Sequence, residues 1–128
     1  MVKKISLILL TIILTINLSG CTYGAIKTTN SIEKNTSNKF SMTYDKLSGY
    51  KATEINVKKG QSVEINVNIV TDGGTLNAYI AKDNKKEDAV YNGEELKTSE
   101  FNVTLSEEGK YTIRIDAEDH SGSYAFVW

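Results

Sequence analysis

A chain of 128 residues with a formal net charge of −1, 40% hydrophobic and 24% charged, has the size and balance of one globular domain. The near-neutral charge lacks the basic surface of an ordinary nucleic-acid binder, so no nucleic-acid partner is expected. One cysteine excludes an internal disulfide framework and Cys-rich zinc sites, and one histidine leaves only His120 for imidazole chemistry.

The chain opens with Lys3 and Lys4, followed by an uncharged, largely apolar run of 15 residues from Ile5 to Ser19. That run is short of the roughly 18–20 residues that span a bilayer. A basic start, a short apolar centre and small residues ahead of a cut predict a secretory signal peptide over residues 1–20. The segment Leu18-Ser19-Gly20-Cys21 resembles the lipobox of bacterial lipoproteins. The resemblance implies transfer of a diacylglyceryl group to the Cys21 thiol and cleavage between Gly20 and Cys21. It further implies a protein anchored by lipid to the extracytoplasmic face of the cell membrane. Each buried methylene adds about 0.8 kcal/mol and one acyl chain alone is marginal, so two chains make a stable anchor. An ordinary secretory leader with a chance cysteine, or an uncleaved anchor, remains open from the residues alone.

Cleavage would leave 108 residues, move the net charge to −3 and consume the one thiol. Fourteen lysines against one arginine, with 13 isoleucines and 11 asparagines, reflect AT-rich codons and favour a low-GC Gram-positive host. Residues 21–39 are polar, with nine Thr, Ser or Asn between Thr22 and Lys39 and no apolar periodicity. They are expected to form a flexible tether, because such a segment buries too little surface to offset its ordering entropy. A tether of that length would reach about 23 Å root-mean-square.

From residue 40 to 128 the dominant period is two, which predicts half-buried strands. Phe40, Met42 and Tyr44 alternate with polar residues, then Ile55 and Val57, then Val63, Ile65, Val67 and Ile69. Leu76, Ala78 and Ile80 follow, then a short pair, Ala89-Val90. Phe101, Val103 and Leu105 make a sixth strand; Tyr111, Ile113, Ile115 and Ala117 a seventh; Tyr124, Phe126 and Trp128 the last. Turn signals separate them at Lys59-Gly60, Asp72-Gly73-Gly74, Asn92-Gly93, Glu107-Glu108-Gly109 and Ser121-Gly122. About eight short strands at this spacing predict an all-β fold, an antiparallel, jelly-roll-like β-sandwich. The pattern Gly109-x-Tyr111-x-Ile113-x-Ile115, with Gly122-Ser123-Tyr124-x-Phe126-x-Trp128, resembles the ending of small Gram-positive β-sandwich lipoproteins. That group has no established common activity, so the resemblance implies fold and location only.

Three sets of residues carry candidate chemistry. Asp116, Glu118, Asp119 and His120 offer oxygen and nitrogen ligands or an acid–base pair, or they are a polar turn with outward strand residues. Asp83, Asn84, Glu87 and Asp88 superficially match a calcium loop, but the glycine required at the sixth position is absent and Lys85 and Lys86 oppose a cation. No metal, cofactor or catalytic residue is therefore expected. Strand parity places Tyr50 and Tyr79 on outward faces, with Tyr91 at a strand end, and exposed tyrosines stack on sugars or anchor protein partners.

The leading expectation is a non-enzymatic envelope lipoprotein that binds a partner protein or exported component. The alternative is a carbohydrate or cell-wall-polymer binding module, a role that jelly rolls often take. A hydrolase built on the acidic residues beside His120 is the third reading.

Overall fold

The computed structural model describes residues 22–128; the leader, Gly20 and Cys21 lie outside the described residues. Seven strands form one antiparallel sheet: β1 (Tyr23–Thr29), β2 (Ile32–Thr36), β3 (Lys39–Val57), β4 (Val63–Lys82), β5 (Tyr91–Gly93), β6 (Ser99–Leu105) and β7 (Gly109–Val127). A single 3-10 turn, Lys86–Asp88, joins β4 to β5.

The strand count differs from the expected eight because β4 and β7 run through expected turns, β3 joins two expected strands, and β1 and β2 are added. β3 and β7 are 19 residues long and β4 is 20. A straight strand of that length would run about 60 Å, far beyond the diameter of so small a domain. Each therefore bends midway. β3 shifts register between Tyr44 and Gly49, and β4 between Thr71 and Thr75, so Asp72-Gly73-Gly74 is a bulge inside β4 rather than a hairpin turn. Ser121-Gly122 is likewise the bend of β7. Ala89-Val90 is not a strand; the short pairing falls next to it, at Tyr91–Gly93, which takes in the expected turn Asn92-Gly93.

The bends fold the sheet into a sandwich whose layers share the three long strands. One layer runs β2, the first half of β3, the last half of β7, the first half of β4, then β6. The other runs β1, the second half of β3, the first half of β7, the second half of β4, then β5. Strands that switch layers at bulges are a known way of turning the corner of a sandwich. Phe40, Met42, Ile65, Ile69, Tyr124 and Phe126 from the first layer meet Ile55, Leu76, Ile80, Tyr111, Ile113 and Ile115 from the second in one core. On the β1–β2 side, Lys51 Nζ reaches across the layers to Glu33 Oε1 at 2.9 Å.

The expected tether is corrected over most of its length. Residues 23–29 and 32–36 are the edge strands β1 and β2, both paired with β3. Every side chain of β2 is exposed, so main-chain hydrogen bonds to β3 hold it in the absence of apolar alternation.

Candidate functional site

The outward face of the second layer gathers the most distinctive side chains of the chain. Tyr50 in β3 lies opposite Asp116 in β7, which lies opposite Asn77 in β4. The neighbouring cross-strand row runs Ala52, Arg114, Tyr79 and Asn92, and Tyr23 of β1 pairs with Ala52 at its near end. Because i and i+2 share one face of a strand, Arg114 and Asp116 stand side by side. The guanidinium makes a two-pronged contact, Nε to Oδ2 at 3.0 Å and Nη2 to Oδ1 at 2.9 Å. Its Cζ also sits 4.2 Å from the ring centroid of Tyr50. The hydrogen bonds to Asp116 raise the Arg114 pKa further, outweighing its partial burial.

Beside this fork opens a cleft of about 470 Å³ lined by Asn77, Tyr79, Lys86, Asn92, Arg114 and Asp116. That volume falls within the roughly 300–1,000 Å³ of small-molecule sites. Tyr79 is only 7% exposed, and burial pushes its hydroxyl pKa up, so it stays protonated and donates to Asn84 Oδ1 at 2.6 Å. The Asn77 side-chain oxygen accepts the Glu95 N–H at 2.7 Å, which leaves its NH₂ group as the donor for the cleft. Two smaller clefts of about 310 Å³ each lie elsewhere; neither contains an arginine–carboxylate fork.

The order β3-β7-β4 brings Tyr50 and Tyr79, both of outward parity, to either side of Arg114, but Tyr79 is buried there and Tyr50 half-buried, rather than exposed as expected. Their tasks differ: the Tyr50 ring packs against the guanidinium, whereas Tyr79 lines the cleft. Tyr91 does not join them. It pairs with the buried Ile80, so it faces inward, and its ring packs 5.0 Å from Phe101 against the core. Tyr23 and the Arg114–Asp116 pairing were missed, although the i, i+2 spacing of opposite charges on a strand was a visible signal for the latter.

The acidic set near His120 is dispersed. Asp116 serves Arg114, while Asp119 accepts from Ser48 Oγ at 3.3 Å and returns its own N–H to that oxygen at 3.0 Å. His120 points into the core and is fully buried. Thr71 Oγ1 spends its proton on the Leu96 carbonyl at 2.8 Å, so it accepts from His120 Nε2–H, also at 2.8 Å. Nδ1 then accepts from the Tyr44 hydroxyl at 2.6 Å. Both ring nitrogens are consumed in holding the bends of β3, β4 and β7 together, so His120 is a cross-brace with no access to a substrate. The Asp83–Asp88 segment is the hairpin connection: Asp83 and Asn84 adopt left-handed φ values of 53° and 58°. Among the described residues, no group of three or more His, Cys, Asp or Glu is placed to hold a metal ion.

Burial lowers the His120 pKa below its ordinary 6.5, against a weaker opposing effect of Asp72. Below pH 6.5 the unfolded chain therefore binds a proton that the folded one refuses, and stability falls as the pH drops. Urea melts should show a loss approaching about 1.4 kcal/mol per pH unit between pH 6.5 and the folded-state value. His120→Gln should flatten that slope; a wild-type stability unchanged from pH 7 to 5.5 would contradict the assignment.

No protein-family model and no curated protein matches the chain. Among solved structures, it is similar to the pre-peptidase C-terminal domain of a Bacillus anthracis collagenase, at 13% identity and a TM-score of 0.44, covering 85% of this chain and 88% of that one. A low-affinity xylan-binding module from Roseburia intestinalis gives 10%, 0.43, 84% and 90% for the same quantities. A family 35 carbohydrate-binding module from Clostridium thermocellum gives 16%, 0.41, 85% and 91%. Likenesses this distant say nothing of what the present chain binds.

Proposed function

We propose that this chain is a non-catalytic binding module whose outer-face cleft takes a polyhydroxylated, sugar-type ligand. The observation that carries the reading is the juxtaposition of the Tyr79 ring with the Arg114–Asp116 fork. A sugar presents an apolar C–H face and a rim of hydroxyls. The small part of the Tyr79 ring that lines the cleft suits the first, and a fixed pair of planar donor and acceptor groups suits the second. The Tyr50 ring and the Asp116 carboxylate hold the guanidinium in place before any ligand arrives, which reduces the ordering cost of binding.

The lipobox-like Leu18-Ser19-Gly20-Cys21 supports attachment of the module to the cell membrane through lipidated Cys21. Since β1 begins at Tyr23, such an anchor would act without a tether. Tyr23 borders the Arg114 row, so the cleft would work close to the membrane surface rather than at the end of a long reach.

Screening the full chain against an oligosaccharide array, then titrating the hits calorimetrically, tests the binding reading. Tyr79→Ala and Arg114→Ala should each weaken binding by about tenfold or more, the effect of losing a central contact. Both variants should keep the wild-type far-ultraviolet spectrum. Hits that bind the two variants as well as the wild type, or no hits at all, would overturn the reading.

A further inference from the structure

We infer that the ligand of this cleft is an acidic glycan, with a carboxylate or phosphate group placed at the Lys86 end; this rests on the binding reading above. The two cations lining the cleft differ in one respect. The Arg114 charge is already matched by the Asp116 carboxylate. Lys86 makes no ion pair among the described residues; its ammonium sits 5.9 Å from the ring centroid of Tyr79. The lining therefore carries one uncompensated positive charge, on a chain whose net charge is −1.

The position of that charge is built by the fold. The 3-10 turn bearing Lys86 is tied to β4 through Lys85 N–H to the Lys82 carbonyl at 3.1 Å and Val90 N–H to the Ile80 carbonyl at 2.9 Å. The Tyr79 hydroxyl adds its bond to Asn84 at 2.6 Å, so the ring that lines the cleft also fixes the loop holding the ammonium over it. Glu87 and Asp88, the acidic residues of the same turn, are exposed and do not line the cleft. A ligand that enters the cleft and pairs its hydroxyls with the fork meets the Lys86 ammonium beside the Tyr79 ring. An anionic substituent there gains a charge-assisted hydrogen bond that a neutral sugar lacks.

The test is an array of neutral, uronate-containing and phosphorylated oligosaccharides probed with the full chain, followed by titration at low and high salt. Acidic probes are expected to bind at least tenfold more tightly than neutral ones of the same length. That preference should shrink as salt screens it. Lys86→Gln should abolish the preference and Lys86→Arg should keep it, both on an exposed turn where folding is not at stake. The relative strength of the uronate and phosphate arms decides which anion the site takes. Neutral probes binding as tightly as acidic ones, with Lys86→Gln indistinguishable from wild type, would overturn this inference and leave the binding module intact. Silence across the whole array would overturn both.

Discussion

Deleting residues 124–128 is expected to yield a chain that does not fold. Tyr124 and Phe126 are 1% and 0% exposed and belong to a ring cluster with Phe40, whose centroid lies 5.0 Å from that of Tyr124 and 5.8 Å from that of Phe126. The loss extends to the main chain. The last half of β7 lies between the first halves of β3 and β4, paired with Phe40 on one side and Val67 on the other at Phe126 alone. Truncation thus removes the middle strand of one layer and leaves β3 and β4 without a shared partner. One buried Phe→Ala change costs about 3–5 kcal/mol. Two large rings and a double ladder together exceed the roughly 5–15 kcal/mol by which a domain is stable. Circular dichroism and urea titration check this. Phe126→Ala should still fold, but with a loss of about 3–5 kcal/mol. A truncated chain that keeps a native-like β spectrum and a cooperative melt would refute the argument.

The inward residues of the long strands were legible because burial imposes a period of two whatever the topology. Phe40, Met42 and Tyr44, then Ile65, Val67 and Ile69, then Tyr111, Ile113 and Ile115 are all buried as their alternation requires. The bends were misread as turns because Asp72-Gly73-Gly74 and Ser121-Gly122 have the composition of both. Parity held the missing information. The inward set is even in the first half of β3 (Phe40 to Tyr44) and odd in the second (Leu47 to Val57). It is odd and then even in both β4 and β7. A flip of parity on one continuous strand is what a bulge produces when both halves must face the same core. β1 and β2 were hidden for the opposite reason: edge strands with exposed side chains leave almost no apolar signal. In the candidate site, parity supplied Tyr50 and Tyr79 separately. Their convergence on Arg114 depends on strand order, which local pattern does not encode, and Tyr91, at a strand end as expected, turns inward because its strand begins two residues later than the pair Ala89-Val90 suggested.

Gly122→Ala is the substitution expected to do most harm at the junction of the three long strands. Gly122 has a φ of 137°, and a Cβ there would stand 1.9 Å from the Val70 carbonyl oxygen, a main-chain atom that no side-chain rotation can clear. The strained backbone costs about 1–3 kcal/mol by itself. Relieving the contact means moving β4 away from β7 where Gly122 faces Thr71, and Thr71 is the residue that receives the His120 Nε2–H. The variant should therefore lose more than the backbone term, about 3 kcal/mol or above, with the His120-dependent pH slope weakened as well. Gly60→Ala supplies the comparison. Gly60 also has a positive φ, of 76°, but nothing lies within 4 Å of its added Cβ. Its cost is confined to the conformational penalty of about 1–2 kcal/mol. The difference between the two variants in urea melts isolates what close approach at the bend contributes. If Gly122→Ala is no more damaging than Gly60→Ala, then β4 and β7 give way freely there, and the bend is not the rigid corner on which the sandwich turns.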